Sequence, residues 1–199
     1  MEFKQKTMRL RDGREAVIRS AQPSDAAEMA AFIKTTAGET EFLLRYPEEC
    51  TMSEAGEAVF LDDVLNSPDQ VMPCCFVGGK LAGNAMLTMN SRIKTRHRAS
   101  VAIGLKKEYW GLGIGTALFQ EIIAIAKDRG LDHLELDYIE GNDRARCLYE
   151  KMGFRQIAEV PDAYRLKDGT SRKSILMIKT LCSYRFSSEK RQTVTGVEN

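Results

Sequence analysis

Residues 99–105 alternate: Val101, Ile103 and Leu105 point one way, while Ser100, Ala102 and Gly104 leave little bulk on the other side. A period of two is the mark of a strand. Residues 131–139 repeat it, with Leu134, Leu136 and Tyr138 on one face and His133, Glu135 and Asp137 on the other. Between these segments the period lengthens. Over residues 116–129, Leu118, Ile122 and Ile125 form one helical stripe with Phe119 and Ala126 beside it, and Gly130 stands at the usual stop.

The remaining pattern predicts shorter elements. Residues 8–20 read as two strands around the turn Asp12-Gly13, the second over 16–19. Ser24 or Asp25 can cap a helix through Thr35, with Ala27, Ala30, Ala31 and Ile33 on its apolar side. A second helix over 53–65 is capped by Ser53 and stops before Pro68. Residues 38–50 carry Phe42, Leu43, Leu44 and Tyr46 without a clean period and read as helix or ordered loop. Residues 71–77 and 81–89 form a hairpin signal around Gly78-Gly79. A short helix over 143–152 is closed by Gly153, and strands over 155–159 and 173–179 flank the turn Lys167-Asp168-Gly169-Thr170. One domain is expected over residues 1–182, followed by a polar, disordered tail over 183–199.

Composition narrows the class. Hydrophobic residues make up 43% and charged residues 29% of 199, enough to bury one core without disulfides or metal. A net charge of +1 gives no field for a nucleic-acid partner. No run approaches the roughly 18 apolar residues of a membrane helix, and the first residues lack the apolar core of a signal peptide, so a cytoplasmic protein is expected. The five cysteines form no C-x-x-C pair and there are only two histidines, so no metal is expected. The densest basic stretch, Arg92, Lys94, Arg96, His97 and Arg98, reads as a solvated loop or as a rim that attracts phosphates.

The candidate chemistry starts at Gly111-Leu112-Gly113-Ile114-Gly115-Thr116, between the strand ending at Leu105 and the long helix. Glycines let the backbone turn with its N–H groups inward, and a helix N-terminus adds free donors and a positive dipole end. This is a phosphate cradle. A P-loop requires a lysine after the last glycine, and Thr116 stands there instead. A dinucleotide fingerprint requires a glycine at Thr116; Asp137 sits where its ribose acid would, but five residues separate the strand from the first glycine, where that fold turns directly.

Trp110, Gly113 and Gly115 resemble the pattern Q/R-x-x-G-x-G/A of the GNAT superfamily of N-acetyltransferases, departing from it at Trp110. Asn142, Ala145, Tyr149, Gly153 and Phe154 are similar to that family's N-x-x-A-x-x-x-Y-x-x-x-G-F segment. The resemblance runs from about Ala16 to Leu181. It implies an α/β (α+β) fold: one central mixed, mostly antiparallel sheet of six to seven strands, flanked by helices and splayed at the acetyl-CoA site. It implies that Ile103, Gly104 and Leu105 pair with the acetyl-pantetheine arm, that residues 111–116 hold the pyrophosphate, that Asn142 bonds the arm, and that Tyr149 protonates the leaving thiolate. A phenol near pKa 10 can serve a thiol near 8.5 in that way.

The base stays open between Asp137, its neighbour Glu135 on the same face, His97, and water. The expected reaction is direct transfer of an acetyl group from acetyl-CoA to a primary amine of a small molecule, peptide or protein. The acceptor is expected between residues 38–50, the hairpin after Met89 and the turn near Asp168, where Glu39, Glu41, Glu48 and Glu49 give an acidic bias. A non-catalytic acyl-CoA sensor is the alternative, and homodimers are common in the fold.

Overall fold

In the computed structural model, which describes residues 1–181, the alternating segments all join one sheet. Its strands are β1 (Lys6–Arg9), β2 (Glu15–Ser20), β3 (Gln70–Val71), β4 (Pro73–Val77), β5 (Lys80–Met89), β6 (Arg98–Leu105), β7 (His133–Ile139), β8 (Arg155–Arg165) and β9 (Ser171–Thr180). Four helices accompany them: α1 (Ala26–Glu39), α2 (Glu54–Asn66), α3 (Ile114–Asp128) and α4 (Asp143–Lys151). The order across the sheet is β1-β2-β4-β5-β6-β7-β9-β8, with β3 beside β5. Only β6 and β7 pair in parallel; the other neighbours are antiparallel. The sheet has nine strands rather than six to seven, partly because Pro73, which has no N–H, divides the 71–77 segment into β3 and β4.

Helix α3 provides the crossover that a parallel pair requires. It packs Ile114, Leu118, Phe119, Ile122 and Ala126 against Leu134, Leu136 and Tyr138 of β7 and the same face of β2, β4 and β5. On the opposite face, α1 and α2 bury Met29, Phe32, Leu61 and Val64 against Cys74, Phe76 and Leu81. Strand β4 is buried throughout because it lies between the two layers. Burial pushes the thiols of Cys74 and Cys75 up, to about 12 and about 11, so both act as small hydrophobes.

Local signals account for the ends. Ser53 Oγ accepts the Gly56 N–H at 3.1 Å and caps α2, as its sequence predicts. Asp25 stands before α1, yet its carboxylate takes a bidentate bond from Arg19, at 2.6 and 2.9 Å, and the Gln22 N–H. The Arg19 guanidinium holds that carboxyl below the usual carboxylate range. The expected strand over 155–159 continues to Arg165. The chain passes through Pro161 by a break in register: four steps along β8, from Val160 to Tyr164, match two along β9, from Ser174 to Arg172. The expected tail over 183–199 lies outside the described residues. Among those described, no helix is long and apolar enough to cross a membrane, and no cluster of three His, Cys, Asp or Glu side chains is placed to hold a metal.

Candidate active site

The two edges of β6 are unlike. Toward β5 it pairs from Met89↔Ala99 to Gly83↔Leu105 without a break. Toward β7 only Arg98, Ala99 and Ser100 are paired, with His133, Glu135 and the Leu134 between them. Beyond Ser100 the strands separate, which opens the sheet. The Lys106 N–H bonds Ala82 O at 3.0 Å, which sets the alternation: Ala102 and Gly104 direct their backbone groups to β5, and Ile103 and Leu105 direct theirs into the opening. Trp110 Nε1 donates to Leu105 O at 3.1 Å, so the one residue departing from the expected pattern fastens the strand end. Gly104 packs closely: a Cβ there would lie 3.3 Å from Asn84 Oδ1, which would have to shift slightly, and in contact with the Phe32 ring at 3.6 Å.

A single 3-10 turn, Lys107–Tyr109, leads from this strand end to the glycine loop, and Glu39 of α1 accepts the Lys107 N–H at 2.7 Å. Arg11 then holds the loop from outside, its N–H on Leu112 O and its guanidinium on Gly111 O. Gly111 (φ 80°) and Gly113 (φ 97°) lie in the left-handed region, and no atom stands within 4 Å of where either Cβ would be. Ala117 makes the first bond of α3, to Gly113 O, so the N–H groups of Ile114, Gly115 and Thr116 precede the helical ladder. Open space, inward donors and a helix N-terminus together suit a pyrophosphate.

The other loop positions are structural. Ile114 is fully buried, and a Cβ on Gly115 would lie 3.0 Å from Leu148 and under 4 Å from Ile103 and Leu105, so that glycine lets α3, α4 and β6 meet. Two cations stand nearby. Lys151 Nζ is 3.4 Å from Thr116 Oγ1, and the Arg144 guanidinium lies 4.6 Å from the Trp110 ring centroid. The basic loop before Arg98 is at the other end of β6, roughly 23 Å away at 3.3 Å per residue. It is therefore no rim for those phosphates.

Tyr149 of α4 is 7% exposed. Its ring packs among Phe119, Tyr138 and Phe154 at centroid distances of 5.5, 5.9 and 6.3 Å. Burial in this aromatic box, and then the nearby Asp137 charge, push its phenol well above the ordinary range, so it is protonated at neutral pH. Asn142 is the N-cap of α4 and its Oδ1 accepts the Ala145 N–H at 3.1 Å, which leaves its amide hydrogens for another partner.

The two strand carboxylates differ. Glu135 is bound by Arg98 through both oxygens, at 2.5 and 2.7 Å. Asp137 is exposed, and its Oδ2 accepts from Tyr164 Oη at 2.6 Å and Ser174 Oγ at 2.8 Å. Neither partner is identifiable from sequence period or motif. Residues 40–50 form turns and a 3-10 turn over Pro47–Glu49. They reach the β8–β9 turn, where Lys167 N–H donates to Tyr46 Oη and Lys167 pairs with Glu48. Glu41 lies 3.7 Å from Arg172, and Phe42 packs over Gly141 just past β7. This segment thus spans the open end of the sheet, where the acceptor is expected. His97 stands by the His133 ring at 6.0 Å, at the closed end.

Known proteins share this arrangement. The sequence profile of the acetyltransferase (GNAT) family matches residues 38–154, more than half of the chain. A thialysine N-epsilon-acetyltransferase of Bos taurus is 28% identical over 151 residues, covering 72% of this chain and 86% of that protein. A GNAT-family acetyltransferase from Streptococcus pneumoniae superposes with a TM-score of 0.78 at 30% identity, covering 83% of this chain and 99% of that one. A Salmonella typhimurium putative acetyltransferase, solved with its cofactor acetyl-CoA, has the same fold at TM-score 0.73 and 16% identity, covering 85% and 96%. With its own sheet opened at β6 and its glycine loop set on a helix N-terminus, the chain belongs to the GNAT acetyltransferase family: it is an acyltransferase whose acetyl donor is acetyl-CoA.

Proposed function

We propose that this acyltransferase moves the acetyl group to a primary amine by direct attack in a ternary complex. The observation that carries the reading is the end of the β6–β7 ladder at Ser100, which leaves the backbone of Ile103 and Leu105 facing an opening whose rim is the glycine loop. Gly111, Gly113 and the first N–H groups of α3 would hold the pyrophosphate, with Lys151 and Arg144 close by; the Ile103–Leu105 backbone and Asn142 would hold the arm. The donor supplies an activated acetyl group on a thioester.

The chain's own residues handle protons. The amine nitrogen forms its bond to the acetyl carbon as the carbon–sulfur bond breaks. The proton lost by the amine passes to Asp137 or to water. Tyr149, protonated and desolvated, gives its hydrogen to the departing sulfur and regains one from solvent. Backbone N–H groups at the strand end can polarise the carbonyl as charge grows on its oxygen.

On the acceptor side Asp137 stands exposed at the opening, while Glu41 and Glu48 of the neighbouring segment are already paired with Arg172 and Lys167, so recognition of a cationic amine falls chiefly to Asp137. The bovine relative is named for thialysine, so the side-chain amine of an amino acid is the first acceptor to try. The test is thermal shift with acetyl-CoA, CoA, NAD and ATP, followed by thiol release with a panel of amines. A melting shift with the two CoA species alone, and thiol release that depends on an amine, is the expected result. Binding without amine-dependent release at any acceptor would contradict transfer to an amine and leave a binding module.

A further inference from the structure

Asp137 is held in a way that a solvated strand carboxylate is not. On β8 every residue but Tyr164 is exposed. The break between Val160 and Tyr164 adds two residues to β8, an even number that keeps side chains on the same faces, and it brings Tyr164 opposite Arg172. Arg172 shares its face of β9 with Ser174 and Leu176, and Leu176 is paired with Asp137, so Tyr164 lies on the Asp137 face of the sheet. Ser174, two residues from Arg172 on β9, is 6% exposed despite its hydroxyl. Both hydroxyls reach one carboxylate oxygen, Oδ2, and they are 3.3 Å from each other.

An ionised carboxylate only accepts, so each hydroxyl spends its single hydrogen on Asp137. Tyr164 stays a donor: burial, and then the hydrogen bond to Asp137, push its phenol up from the ordinary range. Both donors sit on Oδ2, which restrains rotation of the carboxylate, and neither uses Oδ1. Asp137 borders an open groove of about 650 Å³, which Ser174, Leu176, Ile178 and Ile157 also line. The groove floor is apolar next to the carboxylate. The other end of the groove, at Arg98 and Glu135, is already paired.

We propose that Tyr164 and Ser174 are positioning residues that fix Asp137 so that its free oxygen receives the ammonium group of the acceptor, an amine carried on an aliphatic arm lying along Leu176 and Ile178. The inference rests on the proposed transfer to an amine. Both residues fall beyond residues 38–154, the span matched by the family profile.

The test uses the full chain with Tyr164→Phe, Ser174→Ala and Ser174→Thr, measuring amine KM and kcat at saturating acetyl-CoA, together with the melting shift that acetyl-CoA causes. Hydrogen bonds to a charged group are strong enough that losing either donor raises the amine KM about tenfold. The change in kcat is expected to be smaller, the acetyl-CoA shift to be unchanged, and Ser174→Thr to keep the wild-type KM because it keeps the hydroxyl. Unchanged amine KM in both Tyr164→Phe and Ser174→Ala overturns the assignment, and so does an equal loss in Ser174→Ala and Ser174→Thr. A wild-type protein that shows no acetyl-CoA shift, or no amine-dependent thiol release, overturns the reading beneath it as well, which separates the two failures.

Discussion

One strand carries two opposite edges. The β5 side of β6 is closed by seven register pairs and backed by Phe32 and Asn84, so its backbone groups are satisfied within the protein. The β7 side is closed for three residues and then open, and the Trp110 indole takes up only the Leu105 carbonyl. Backbone donors and acceptors seldom lack partners once water is excluded, so the open edge is stable while hydrated and becomes a binding surface for an extended amide chain. The closed edge builds the fold, and the open edge supplies a site without any unusual side chain. Glycine serves both edges differently: Gly83 and Gly104 let strands and α1 approach, while Gly111 and Gly113 keep space empty.

That contrast can be broken in three places. The largest effect is expected where the open edge meets the chemistry. Tyr149→Phe removes one hydroxyl from the aromatic box and should lower kcat on the order of 100-fold, the lower range for a general acid, while the melting shift caused by acetyl-CoA stays the same. Full turnover in this variant removes Tyr149 from the mechanism.

At the loop, Gly113→Val places a branched side chain at φ 97°. A left-handed backbone costs such a residue about 1–2 kcal/mol, and the side chain fills the space kept for the ligand. Acetyl-CoA affinity should fall at least about tenfold, read as the ligand concentration needed for half the melting shift. Unchanged affinity would show that the loop does not contact the donor.

The closed edge predicts the reverse outcome. In Gly83→Ala the new Cβ would lie 2.8 Å from Leu105 Cγ and 3.0 Å from Gly104 O. Overpacking of this sort costs about 1–3 kcal/mol, so unfolding should shift to lower denaturant while acetyl-CoA affinity stays within about twofold. An affinity loss as large as the stability loss would mean that the two edges are coupled through Leu105.

Much of this was legible in the sequence because it is local. The two-residue period of β6 and β7, the helical stripe of α3 and the glycines between them each lie within a few residues of one another, and each records its own geometry. The pairing of those elements was not local. Nothing in residues 99–105 says that their ladder with β7 stops at Ser100, since that depends on where the chain turns after Leu105. Residues 40–50 gave no period because they are held from outside, by Gly141, Lys167 and Arg172, rather than by a face of their own. Asp137 was identifiable as a candidate base on the polar face of its strand, but its fixing by Tyr164 and Ser174 spans 27 and 37 residues and depends on a register break around Pro161, where a strand reading stops. The role of Trp110 was hidden for the same reason: its bond to Leu105 is made by the turn between them.

The most direct test of the open edge is backbone hydrogen exchange, resolved by residue, with and without saturating acetyl-CoA. New protection is expected at the amides of Ile103 and Leu105 and at Gly113 to Thr116, with no change at Ala102 and Gly104, whose groups already face β5. Protection that leaves Ile103 and Leu105 untouched while acetyl-CoA is demonstrably bound would contradict it, and the donor would then have to lie elsewhere on the sheet.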